Sequence, residues 1–197
     1  AGGYMRYIAT REGVEKLAGN GAVTKGQREL IQKLLTDFPD AAELFEYEDY
    51  CKTPTLGTAS AFIGMALDAN IHEIDSESGY MQYIATRPRV QKHGSHGLFS
   101  SATAVDLTSA MSELEAHEGN VWTIIYSLRR EDAARLEYDS ADAWRTLLME
   151  NAPTLAKSMK ISLDNFHWYA AFHDEGHHPH IHMMVWSDDP KEGFLTK

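Results

Sequence analysis

Five histidines crowd one short stretch of this chain, Phe172-His173-Asp174-Glu175-Gly176-His177-His178-Pro179-His180-Ile181-His182. Their spacing converts directly into geometry. His180 and His182 are two residues apart, so on a strand they point to one face, while Ile181, Met183 and Val185 point to the other. Upstream, the aromatic run Phe166-His167-Trp168-Tyr169-Ala170-Ala171-Phe172 reads as a second strand. The link from Asp174 to Pro179 is rich in turn formers. If the two strands close as a hairpin, His173 falls opposite His180, and opposed Cβ atoms lie about 4.5–5.5 Å apart. His173, His180 and His182 then converge on one patch. Neutral imidazole is the commonest protein ligand for a divalent transition metal. Three ligands leave coordination positions open, as a catalytic site requires and a closed structural site does not. Asp174 and Glu175 could orient a ring N–H or a bound water from behind. A hairpin that merely happens to be His-rich is the bland alternative, but three rings on one face are harder to reach by chance than one.

A second feature is an internal repeat. Gly3-Tyr4-Met5-Arg6-Tyr7-Ile8-Ala9-Thr10-Arg11 is copied as Gly79-Tyr80-Met81-Gln82-Tyr83-Ile84-Ala85-Thr86-Arg87, with eight of nine positions identical. Two copies are too few for a solenoid. As a helix, each places its two tyrosines three apart on a shared face, with the arginine one turn later. Tyrosine can act as a covalent nucleophile. With a pKa near 10, only about 0.1% is phenolate at pH 7, so a cation or base must assist. A metal that polarises a phosphate oxygen, beside such a tyrosine, would cut a phosphodiester and store the bond as phosphotyrosine. Arg11 or Arg87 could hold the phosphate or favour the phenolate. The bland reading of each copy is an amphipathic helix with packed aromatics.

Around these segments the pattern predicts mostly helix. Thr24 caps a helix through Leu30, Ile31, Leu34 and Leu35 that stops at Pro39. Ala41 to Cys51 is acidic and helical, and Thr58 caps an apolar helix from Ala59 to Ala69. Pro88 ends the second repeat at about Arg87. Gly94-Ser95-His96-Gly97 is a loop, and Asp106 to His117 a helix. Val121 to Leu128 is a strand. Glu131–Tyr138, Ala141–Glu150 and Pro153–Met159 read as short helices. The class is α+β: a central antiparallel sheet with helices largely on one face, in a single domain over residues 1–197. A longer native protein is expected beyond Lys197.

The formal charge of −11 argues against a generic nucleic-acid coat protein but leaves room for a DNA enzyme with local patches. The basic clusters are Arg87-Pro88-Arg89-Val90-Gln91-Lys92-His93 and Arg129-Arg130, with Arg6 and Arg11 weaker; ordinary solvated surface is their bland reading. Arg11, Arg87, Arg89 and Lys92 are the candidate DNA contacts. The single Cys51 gives no disulfide framework and no Cys-based zinc site. No apolar run reaches a membrane span and no secretory pattern opens the chain, which fits a cytoplasmic protein.

The segment from His173 to His182 resembles the third motif of conjugative relaxases, the HUH-type (His-hydrophobe-His) DNA nickases. The Tyr-Ile-x-x-Arg segments resemble the tyrosine-bearing first motif of their MobP and MobL branch, and Tyr precedes His as in that family. The chain is most similar to a relaxase of a conjugative transposon from Gram-positive bacteria. That resemblance implies site-specific nicking of single-stranded origin-of-transfer DNA with Mn or Mg, a covalent 5′-phosphotyrosyl intermediate, accessory DNA-processing proteins and a bacterial cytoplasmic setting. It implies His173, His180 and His182 as metal ligands and Tyr7 or Tyr83 as nucleophile. Glu175 matches an acidic position loosely, one residue out of register. Almost nothing precedes Tyr4, where the family has a first strand, so the choice between the tyrosines stays open. Two rivals remain. A histidine-triad nucleotide hydrolase would use alternating histidines without metal and survive EDTA. A metal-stabilised DNA-binding module would bind single strands through Trp168, Tyr169 or Trp186 without a covalent adduct.

Overall fold

The computed structural model describes residues 21–70, 76–86, 89–92, 94–174 and 178–195. The chain divides into two compact units, Ala1–Ile74 and Asp75–Lys197.

In the first unit, helix α1 (Lys25–Asp37) begins where the sequence predicts. The Thr24 hydroxyl accepts from the Gln27 N–H, and the Gln27 side chain accepts from the Thr24 N–H, a reciprocal capping box. It ends where the Phe38 N–H reaches the Leu34 carbonyl, just before Pro39. The acidic stretch expected as one helix is two pieces, a 3-10 turn (Pro39–Glu43) and α2 (Phe45–Lys52), because Leu44 is extended. Helix α3 (Leu56–Asn70) starts three residues before its expected first residue. The cap is Thr55, whose hydroxyl accepts from the Thr58 N–H, while the Thr58 hydroxyl donates to the Thr53 carbonyl. Ile31, Leu34, Phe62, Ile63 and Leu67 form this unit's core.

The second unit carries a four-stranded antiparallel sheet. Its elements are α4 (Glu77–Thr86), β1 (Leu98–Phe99), α5 (Leu107–Glu115), β2 (Val121–Ser127), α6 (Arg130–Leu136), α7 (Ala141–Ser158), β3 (Phe166–His173) and β4 (His180–Ser187). The strand order is β1-β3-β4-β2. The fold is α+β, consistent with an HUH relaxase.

The period-two alternation of the two long strands splits the sheet into faces. Trp168, Ala170 and Phe172 of β3 share one face with Ile181, Met183 and Val185 of β4, and these bury against Trp144 and Leu148 of α7. Fully burying each large side chain there is worth about 1.5–3 kcal/mol. That packing overrides Pro153. The sequence predicted a break between Ala141–Glu150 and Pro153–Met159, yet α7 runs through with Pro153 inside it. The missing N–H removes one intrahelical bond to residue 149, while Trp144 and Leu148 before the proline and Ala156 after it are all buried. The opposite face carries the histidines, where Tyr80 of α4 meets His182 and Glu113 of α5 meets Tyr169. Among the described residues no helix is long and apolar enough to cross a membrane.

Candidate metal centre

The hairpin register is the one the spacing predicts: His173 pairs with His180, and Ala171 with His182. All three rings therefore stand on one face, and each is fully buried. Ring centroids are 5.1 Å apart for His173–His180, 4.7 Å for His173–His182 and 5.0 Å for His180–His182. One ligand-capable nitrogen from each ring falls within 4.8 Å of the others.

The outer edges of the rings decide which nitrogen is available. Nε2 of His173 lies 2.8 Å from the Ile84 carbonyl, and Nδ1 of His180 lies 2.9 Å from the His178 carbonyl. A carbonyl can only accept, so each of these nitrogens carries the proton. In a neutral ring the lone pair then sits on Nδ1 of His173 and on Nε2 of His180. His182 is held through Nδ1 by the Tyr80 hydroxyl at 2.8 Å. Each ring thus has a protein partner on its outer edge, and the second nitrogens are buried atoms with no hydrogen bond among the described residues. Outer-edge acceptors that fix the tautomer are the usual companions of metal-bound histidines. The residues present therefore fit a divalent cation held by Nδ1 of His173 and Nε2 of His180 and His182.

Helix α4 and strand β2 complete the surroundings. Tyr80 and Ile84 are one turn apart on α4, so a single helix face serves both His182 and His173. Tyr83 lies on the flank of that face and is half-buried. On β2, Ser127 pairs with His180. The adjacent Leu128 N–H donates to the Pro179 carbonyl at 3.1 Å, which makes Ser127–His180 a close, non-hydrogen-bonded pair. The Ser127 hydroxyl is buried there with no hydrogen-bond partner among the described residues.

Basic groups gather at the same end of the sheet. Val90 bridges to His173. The Gln91 N–H donates to the Phe172 carbonyl and the Asp174 N–H to the Arg89 carbonyl, so the 89–92 segment runs beside the end of β3. Arg89 adopts a positive φ of 66° there, an uncommon conformation for a non-glycine residue. Both Arg89 and Lys92 are exposed. Arg130, just past β2, pairs with Asp174 at 2.6 Å. Tyr7, Arg11, Arg87 and Glu175 lie outside the described residues.

Two other tyrosines near the sheet hold their phenolic protons above the usual range. Burial and a hydrogen bond to Glu113 push the Tyr169 phenol up to about 12. Burial likewise raises Tyr126, which pairs with Ile181 and so stands on the apolar face. Tyr80 and Ser127 were missed as site residues by the sequence reading. The repeat puts Tyr80 and Tyr83 on one helix face, but only the second tyrosine matches the nucleophile position of the relaxase motif. For Ser127, nothing in the sequence says which strand flanks β4.

A family model described as MobL relaxases matches residues 1–197. No curated protein and no solved structure matches the chain.

Proposed function

The chain belongs to the MobL relaxases, and from that premise we propose that it nicks single-stranded origin-of-transfer DNA by metal-assisted attack of a tyrosine. The observation that carries the reading is the buried triad, with the tautomers of two rings fixed by backbone carbonyls so that lone pairs remain on the inner nitrogens. A divalent cation, Mn or Mg, supplies Lewis-acid polarisation of a phosphate oxygen and neutralises charge in the transition state.

The chain's own groups do the rest. Tyr83 is the favoured nucleophile, because α4 lies against the triad through Tyr80 and Ile84; Tyr7, its counterpart in the repeat, is the alternative. The phenolic oxygen forms a bond to phosphorus as the bond from phosphorus to the 3′ oxygen breaks. A 3′ hydroxyl leaves and a 5′-phosphotyrosyl link remains, so the same step run backwards rejoins the strand. A base takes the phenolic proton, with Glu175 as the acidic candidate, and the departing 3′ oxygen takes up a proton from water. Arg89 and Lys92, with Arg11 and Arg87, grip the backbone phosphates as charge-assisted donors. Accessory proteins would add the affinity that a net charge of −11 does not favour.

The test is covalent capture. The protein is incubated with Mn2+ and a randomised pool of single-stranded oligonucleotides, and the adduct is mapped by mass spectrometry. The expected result is one modified tyrosine, Tyr83 or Tyr7, formed only with the cation and lost with EDTA. Adduct that forms equally well in EDTA, or on a histidine, would overturn the reading in favour of a metal-free histidine nucleophile. Strand binding with no adduct at all would leave only a binding module.

A further inference from the structure

We propose that Tyr80 is a positioning residue that holds His182 in the one tautomer able to bind a cation. The inference rests on the metal reading above and concerns a residue which that reading does not use.

The three rings are not held alike. His173 and His180 face carbonyls, which leave no choice of tautomer. His182 faces a hydroxyl, which can donate or accept. If the Tyr80 O–H donates to Nδ1, the proton of His182 sits on Nε2 and that nitrogen cannot ligate. If Nδ1–H donates to the Tyr80 oxygen, Nε2 presents its lone pair to the other two rings. A hydroxyl has two acceptor lone pairs and one proton, so Tyr80 can accept from His182 while its own proton turns elsewhere. Tyr80 is fully buried and meets His182 edge-on, the ring planes 79° apart at 6.0 Å. Only the second arrangement completes the triad.

The same contact divides the labour within the repeat. The Tyr80 oxygen lies against Nδ1, on the opposite ring edge from Nε2, so the His182 ring itself stands between that oxygen and the cation. Tyr80 therefore cannot attack a phosphate bound there. The first tyrosine of the copy orients a ligand, and the second is left for chemistry. One helix supplies two of the three orienting groups, since the Tyr80 hydroxyl and the Ile84 carbonyl lie one turn apart on α4.

The experiment uses the whole chain labelled with 15N-histidine. Long-range proton–nitrogen spectra of the metal-free protein report each tautomer, and calorimetric titration with Mn2+ reports affinity. Wild type is expected to show His182 as the Nδ1–H form and to bind Mn2+. In Tyr80→Phe the His182 signal should move toward the Nε2–H form, while His173 and His180 keep theirs. Mn2+ affinity should fall about 10- to 100-fold, the usual cost of losing an outer-sphere partner. His180→Ala serves as the control: it should abolish Mn2+ binding and leave the His182 tautomer unchanged. Wild-type His182 found in the Nε2–H form overturns the proposal without need of any variant. So does a Tyr80→Phe protein with unchanged affinity. If wild type binds no Mn2+ whatever its tautomers, the metal reading itself falls, and this inference with it.

Discussion

The histidine face of the sheet has two ends, built from the same two strands by the same alternation, and they do different things. At one end stand His173, His180 and His182, fully buried, with carbonyls or a hydroxyl on their outer edges. At the other end, six residues back along β3, His167 lies half-exposed and stacks on Trp186, the ring planes 16° apart. Its ring nitrogens meet carboxylates, Asp188 at 2.7 Å and Glu113 at 3.5 Å. With a carboxylate at each ring nitrogen, neither edge of His167 is left open to a metal. A carbonyl on one edge leaves the other edge to a metal. The difference teaches that residue type and strand face are insufficient to make a ligand. The acceptor behind the ring decides.

The largest break in this comparison should come from His180→Ala. Removing a ligand should abolish detectable Mn2+ binding in a calorimetric titration and lower nicking by more than about a hundredfold, beyond the usual outer-sphere penalty. The unfolding transition without metal should remain cooperative. Retained nicking would show that the triad is not the centre.

Next comes the nucleophile. Tyr83→Phe and Tyr7→Phe, assayed separately for covalent adduct, should yield one protein with none and one near wild type. Two active variants would put the attacking group elsewhere.

The basic rim should give a graded effect. Arg89→Ala should weaken single-strand binding modestly for every sequence and reduce the slope of log affinity against log salt by about 0.7. An unchanged slope would remove Arg89 from the phosphate contacts.

At the far end the expected changes are small. His167→Ala should leave Mn2+ affinity untouched and cost about 1 kcal/mol or less in thermal unfolding, as the loss of partly exposed polar contacts does. Tyr169 sharpens the contrast through alkaline pH. Its phenol is raised from 10.0 to about 12 by burial and by the Glu113 carboxylate. The folded state therefore keeps a proton that the unfolded state releases. The stabilisation from this neutral phenol is complete below pH 10 and is lost between pH 10 and about 12. Tyr169→Phe should flatten that part of the stability curve, and an unaltered curve would mean that Tyr169 titrates normally.

Much of the chemistry was legible in the chain itself. The two-residue spacing of His180 and His182, the turn formers from Asp174 to Pro179 and the aromatic run before them fix a hairpin, and a hairpin has only two faces. Strand alternation therefore brings His173, His180 and His182 together whatever the rest of the molecule does. Local signals also set the start and stop of α1, because the Thr24–Gln27 capping box and Pro39 act within a few residues. Signals that depend on distant packing were not legible. Pro153 reads as a helix break until Trp144 and Leu148 are seen holding α7 on the sheet. Tyr80 looks like one more apolar-face tyrosine until α4 lays its hydroxyl against His182, 102 residues later in the chain. Ser127 has no partner strand until β2 pairs with β4. Which atoms a histidine can offer depends on the groups behind it; for His180 that is the His178 carbonyl next to it in sequence, but for His173 and His182 it is α4, far upstream. Alternation chose the three rings; only the tertiary fold chose the nitrogens of His173 and His182.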